Sequence, residues 1–320
     1  MRYGVPYQGS KNSIATKIMS FLPPAEKFYD LFAGGCAMTH AALVSGKYKT
    51  VIANDLYDDG IELFCNAIKG KYKNEKRWIS RDDFYRSKDS DVYVRLCWSF
   101  ANNGRDYLYA RCLEPWKKAL HFARVYNDFS LFAEMGIITD GSSKDIKQHA
   151  EEYKRLYCKY IKQTIEQPNL SRLEGLERWE LLQSLQGLER LQSLESLERL
   201  QSLGRLERLE RLEITHKDYR QVDLPAGCVV YADPPYKDTN GYSSDFDHAA
   251  FCSWAAHCPR PLLISEYDMP REMFACIGEL KHLARFSQTC KKITERLFVP
   301  RHQLDTWRNI TGNLFLNEIQ

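Results

Sequence analysis

"EKFYDLFAGGCAMTHAALVSGKYKTVIANDL", residues 26–56, decides the fold class of this 320-residue chain. Its first part reads as a short strand running into the Gly34–Gly35 turn. "CAMTHAALVSG" follows as a helix closed by Gly46, and "KTVIANDL" as a second strand ending on Asp55. Strand, helix and strand in this spacing form a βαβ unit with parallel strands. "DDGIELFCNAIKG" adds the next helix.

Outward from this unit the alternation stops near residue 62, and the chain to about 165 is mostly helical, aromatic and basic. It returns after 227 with a strand at 228–232, a helix at 247–257 and the strand "PLLISEY" at 261–267. The pattern predicts an α/β domain made of residues 1–61 and 214–320. A mostly helical lobe, 62–169, and a leucine-rich segment, 170–213, interrupt it. In that segment leucine occupies every third position from Leu170 to Leu212, with Trp179 the single substitution. On an α-helix each such step slips the stripe by about 60°, so the leucines wrap round the cylinder. Three readings follow: short helices that each bury their own leucines, a winding with a true period of three, or poor order. Functionally it is a tolerated repeat or a surface for a protein partner that the sequence does not identify.

Composition narrows the class. Hydrophobic residues make up 44% of the chain, with no early apolar stretch ending in a cleavage site and no apolar run near 18 residues, so a soluble protein without a membrane partner is expected. Ten cysteines without CxxC pairs point to a reducing cytoplasm. A net charge of +3 neither demands nor excludes nucleic acid, but "KGKYKNEKR", residues 69–77, sets five cations against Glu75. Such a run is a solvated surface or a set of phosphate contacts.

Ligands of open α/β sheets bind outside the carboxyl ends of the strands. Three such ends are marked here. Gly34 and Gly35 let backbone approach a ligand, in a loop that is neither a P-loop nor a GxGxxG turn. Asp55, about 20 residues on, stands where a carboxylate accepts both hydroxyls of an adenosine ribose. It also stands where a residue caps the next helix. Taken together, these residues favour a nucleoside ligand. The third mark is Asp233-Pro234-Pro235-Tyr236 after the strand "CVVYA". Each proline removes an N–H, so a carboxylate and the Pro234 carbonyl can both accept from one NH2 group. Tyr236 offers a flat face for a planar base. This suits an exocyclic amine, a poor nucleophile that needs orientation and stabilisation of its developing charge. His248, Cys252, His257 and Cys258 fit no usual zinc spacing and read as one amphipathic helix, so no metal is expected. Cys36 and Cys228 read as packing residues and not as nucleophiles of cytosine-C5 chemistry.

With these residues the chain resembles the Dam-like DNA adenine-N6 methyltransferases with the alpha order of motifs. The resemblance implies a Rossmann-like methyltransferase sheet with an inserted DNA-recognition lobe. It implies S-adenosylmethionine as methyl donor, and methylation of the N6 amine of adenine in a short sequence of double-stranded DNA after base flipping. "PYQGSK" is similar to the cofactor element, with Tyr7 against the cofactor and Lys11 a polar contact. The cofactor loop is matched by Asp30, Phe32, Gly34 and Gly35, with Cys36 standing where the family has a third glycine. Asp55 matches the ribose-binding acid, and Asp218-Tyr219 the acid-aromatic pair near the cofactor's adenine. Asp233 to Tyr236 match the catalytic motif residue for residue. "RLCWSFANNGRDYLYA", residues 95–110, resembles the recognition hairpin, with Arg95, Asn102, Asn103 and Arg105 as DNA contacts; a plain surface hairpin is the alternative. The leucine repeat lies outside the family pattern. Cytosine-N4 methylation and a leucine-repeat scaffold are the competing functions. A cognate restriction endonuclease, and a bacterial or phage-encoded cytoplasmic enzyme at the nucleoid, complete the expectations.

Overall fold

The structure, a computed structural model, describes residues 2–111, 113–135, 191–204, 206, 209–236, 246–286 and 289–311. The early repeat, residues 170–190, and the end of the lobe, residues 136–169, lie outside the described residues. The chain forms two compact units: Met1–Lys73, Arg199–Ala284 and Cys290–Gln320 in the first, Asn74–Glu198 and Arg285–Thr289 in the second.

The first unit holds a seven-stranded sheet, β1 (Ala25–Asp30), β2 (Tyr48–Asn54), β3 (Leu212–Thr215), β4 (Cys228–Ala232), β5 (Leu262–Glu266), β6 (Phe274–Phe286) and β7 (Thr289–Pro300). Its order is β3-β2-β1-β4-β5-β7-β6. The first five strands are parallel and β7 is antiparallel to β5. This is the α/β sheet that the opening βαβ pattern predicts, Rossmann-like as the resemblance implies. Every residue of β4 and β5 is buried, which explains why both read as continuous apolar runs without alternation.

In chain order the helices are α1 (Ala15–Phe21), α2 (Ala37–Ser45), α3 (Asp59–Ile68), α4 (Arg81–Ser87), α5 (Val92–Cys97), α6 (Glu114–Tyr126), α7 (Ser130–Glu134), α8 (Gln192–Leu203), α9 (His248–Ala256) and α10 (Leu304–Thr311). Gly46 ends α2 in the left-handed region at φ 69°, where a side chain would be strained. Asp59 and Glu62 place negative charge in the first turn of α3, favourable at a helix N-terminus. Within the second unit Trp78 stacks on Tyr109 at 5.8 Å, and the Tyr109 hydroxyl lies 3.0 Å from Ser193 Oγ.

Two results bear on the leucine segment. Its described part includes α8, a short α-helix in which Leu197, Leu200 and Leu203 are buried, with Leu191 buried just before it, as in the first of the three readings. Its last leucine, Leu212, opens β3 and pairs with Val51. The repeat therefore runs directly into the sheet, a continuation that its period of three conceals.

Candidate active site

The strand register brings the marked ends to one edge. Asp30 lies level with Ala53 on β2 and Tyr231 on β4, and Ala232 lies level with Ile264 on β5. The residues just beyond, Phe32 to Gly35, Asp55, Asp233 and Ser265, therefore gather at the carboxyl edge. Antiparallel β7 adds Glu295 there, one residue from Arg296, which pairs with Glu266.

On the β1 side the Gly34–Gly35 turn is held by backbone at close range. Asp55 Oδ2 accepts the Gly34 N–H at 2.8 Å and its Oδ1 accepts the Tyr57 N–H at 3.0 Å. The N-cap of α3 is Asp58, so Asp55 shapes the loop and does not cap that helix. Each of its oxygens keeps a further lone pair. Burial pushes the Asp55 carboxyl up. A Cβ on Gly34 would stand 3.0 Å from the Tyr7 ring, and one on Gly35 2.5 Å from Tyr7 Cβ. A Cβ on Gly4 would strike the Gly35 carbonyl at 2.2 Å, and one on Gly60 the Gly34 carbonyl at 2.0 Å. Burial, with Asp55 nearby, raises the Tyr7 hydroxyl well above its usual range. Cys36 takes the left-handed conformation at φ 55°, the physical reason a glycine suits that position.

Supporting residues surround this loop. Asp30 is fully sequestered, its Oδ2 accepting the Thr39 N–H at 2.9 Å and hydroxyl at 2.7 Å, which fastens the first turn of α2. Burial pushes Asp30 up to about 7 against those two bonds. Phe32 packs on Tyr219 at 5.5 Å, and Tyr219 sits among Phe251 and Trp254 in the core. Asp218 accepts from the Arg220 backbone N–H at 2.9 Å and from its guanidinium at 2.7 and 2.8 Å.

On the β4 side charge replaces glycine. Lys11, 7% exposed, places Nζ 2.7 Å from Asp233 Oδ1 and 4.6 Å from the centre of the Tyr236 ring. The Tyr236 ring lies 4.4 Å from that of Tyr267. Its hydroxyl donates to Glu295 Oε1 at 2.6 Å, and Ser265 Oγ donates to the same oxygen at 2.6 Å. Burial raises Asp233 to about 6, with Lys11 opposing and Glu295 adding to the rise. Burial works against the Lys11 ammonium, but Asp233 and Glu295 outweigh it and raise its pKa. Burial likewise lifts Glu266 to about 8.

In the second unit the stretch expected as a hairpin, residues 95–110, begins in α5, and beyond it residues 99–107 form a loop closed by the isolated Ser99–Tyr107 bridge. Ala101, Asn102 and Gly104 all have positive φ, so the loop consumes its own polar groups. Asn102 donates to the Leu96 carbonyl at 2.8 Å, and Asn103 bonds Asp106 and the Arg105 N–H, each at 2.8 Å. Arg95, on α5, donates to the carbonyls of Lys88 and Asp89 at 2.8 and 3.1 Å. The Arg105 side chain is exposed.

Sequence reading passed over several of these residues. Gly60, inside a helix where glycine costs about 1 kcal/mol, was a legible signal of close approach. Asn54 was not legible: its buried amide donates to the carbonyls of Leu31 and Lys217 and accepts from Thr215 and Lys217, tying three strand ends. Arg199 of the repeat donates to the Gly4 carbonyl at 2.7 Å and to that of Tyr3. Glu295 lies far along the chain in a strand whose pattern gives no hint of the site. Among the described residues no group of His, Cys, Asp or Glu is arranged to hold a metal ion, and no helix is long and apolar enough to cross a membrane.

No curated protein matches the chain. The family model of the D12 class N6 adenine-specific DNA methyltransferases matches residues 7–170, about half of it. The match takes in Tyr7, Lys11, the glycine loop, Asp55 and the hairpin, and ends before the leucine repeat and Asp233. The chain belongs to the D12 class N6 adenine-specific DNA methyltransferase family, enzymes that transfer a methyl group from S-adenosylmethionine to the N6 amine of adenine in DNA.

Proposed function

We propose that the carboxyl end of β4 holds the target amine, with the Asp233 carboxylate and the Pro234 carbonyl as its two acceptors. The observation that carries this reading is Asp233, 18% exposed at the strand end, fixed 2.7 Å from the buried Lys11 ammonium, which also lies over the Tyr236 ring. Tyr236 supplies the face on which a flipped adenine stacks, and Pro235 stiffens the turn. Lys11 acts here by holding Asp233 in one rotamer. Held beside the Lys11 ammonium, the Asp233 carboxylate favours positive charge as it grows on the amine. The surplus proton leaves the nitrogen last, with Asp233 its nearest acceptor.

S-adenosylmethionine supplies an electrophilic methyl carbon on a cationic sulfur. The glycine cradle that a Cβ would fill, and the remaining acceptor capacity of Asp55, fit such a nucleoside. We assign Gly34, Gly35, Tyr7 and Phe32 to its walls, Asp55 to its ribose, and Asp218 with Tyr219 to its adenine end. Asp30 enters only through its hold on α2.

Residues 1–61 and 214–320 are assigned the chemistry and residues 62–169 DNA recognition. Arg105, exposed on the hairpin, supports that assignment better than Asn102 or Asn103, whose amides the loop uses. Phosphate contacts from the basic lobe make binding weaken steeply with salt. The reading puts the enzyme on double-stranded DNA in the cytoplasm, with or without a companion restriction endonuclease. Cytosine-N4 methylation gives way to the family's adenine specificity. No observation favours the scaffold.

Asp233→Ala is the test. Methyl transfer falls at least about a thousand-fold while folding and S-adenosylmethionine binding persist. Near-normal turnover would remove Asp233 from the mechanism.

A further inference from the structure

Glu295 is a carboxylate 1% exposed, contributed by the one antiparallel strand of the sheet edge, and no part of the reading above uses it. Its Oε1 receives two hydroxyl bonds of 2.6 Å, from Tyr236 and from Ser265 on β5, and stands 3.9 Å from Lys11 Nζ. Tyr236 and Lys11 both stand beside Asp233: one is the base platform, the other the cation at 2.7 Å. A short bond at the tip of an aromatic ring fixes the ring's tilt, and Ser265 fixes the carboxylate in turn.

We infer that Glu295 is the positioning residue of the catalytic centre, setting the Tyr236 ring and the Lys11 ammonium around Asp233. The inference rests on the reading that Asp233 and Tyr236 carry the chemistry. It acts through these residues and touches no reacting atom.

The groups facing Asp233 are Lys11 from the amino-terminal segment, Asp30 from β1, Tyr231 from β4, Tyr236, Glu266 and Tyr267 at the end of β5, and Glu295 from β7. Glu295's charge raises both Asp233 and Lys11. Glu295→Gln keeps an oxygen for the two hydroxyls and removes that charge. The acid limb of the kcat–pH profile then moves to lower pH, with kcat down about 10- to 100-fold and KM for S-adenosylmethionine within about twofold. Tyr236→Phe removes the hydroxyl that Glu295 receives and that also bonds Asp233; kcat falls about tenfold, and a fluorescent adenine analogue at the target position shows weaker stacking of the flipped base. Glu295→Asp restores part of the Glu295→Gln loss.

Wild-type kcat with an unmoved acid limb in Glu295→Gln overturns the inference, as does full kcat in Tyr236→Phe should Glu295→Gln fail to fold. Asp233→Ala run alongside separates the two levels. An inactive Asp233→Ala with an indifferent Glu295→Gln sinks the positioning role alone, whereas an active Asp233→Ala sinks the reading beneath it.

Discussion

The two halves of the site lie on one sheet edge and are built by opposite means. After β1 the chain removes side chains: Gly4, Gly34, Gly35 and Gly60 let four backbone stretches close to distances that a single Cβ would forbid. After β4 it gathers charge: Lys11 and Glu295 are buried and Asp233 is partly buried beside them, with Lys11 within reach of both carboxylates. The first half is steric and makes a cradle for a nucleoside. The second is electrostatic and sets an amine for attack. A steric site tolerates changes of pH and fails when volume is added, whereas an electrostatic one fails when a charge is removed and does so in a pH-dependent way.

The largest stability effect belongs to the charged half. Lys11→Met leaves the partly buried Asp233 without its cation, and breaking such a pair costs up to about 3–5 kcal/mol. The sign with pH follows from the raised pKa of Asp233. A carboxyl whose folded pKa lies above its unfolded value contributes stability below the unfolded pKa and loses it as pH rises through the folded one. Removing Lys11 raises Asp233 further, so urea denaturation finds the deficit greatest near pH 8 and smaller near pH 5. A deficit independent of pH would mean that the pair is not electrostatic in effect.

The steric half answers to volume. Gly60→Ala drives a methyl into the Gly34 carbonyl, and overpacking against backbone costs about 1–3 kcal/mol or more. It also weakens S-adenosylmethionine binding, read by calorimetry, while leaving the pH dependence of stability unchanged. The smallest change runs the other way. Cys36→Gly relieves a left-handed non-glycine residue and stabilises the protein by about 1 kcal/mol, a shift of a few degrees in Tm. A destabilised variant would show that the buried thiol's packing outweighs its strain.

The same contrast explains what was legible in the sequence. The parallel strands, the glycine turn and the strand-terminal acids repeat a local pattern, so Gly34 stood out by residue type, Asp55 by spacing and Asp233 by the Asp-Pro-Pro-Tyr run it opens. The helix at 248–256 and the strand at 262–266 were equally plain. Partners brought in by topology were not. Nothing in "KKITERLFVP" marks Glu295, because its role depends on β7 running antiparallel between β5 and β6. The leucine repeat hid Arg199 and β3, since a three-residue period overrides any helix or strand signal within it. At the hairpin the residue types suggested base contacts, but the positive-φ turns take the asparagine amides for themselves.

The most direct test is to express the wild-type enzyme and Asp233→Ala in cells lacking their own DNA methylation, and to sequence the genomic DNA by a method that reads modified bases. The account predicts N6-methyladenine confined to one short motif with the wild-type enzyme and unmodified DNA with the variant. Modified adenine from Asp233→Ala, or N4-methylcytosine from the wild type, would contradict it.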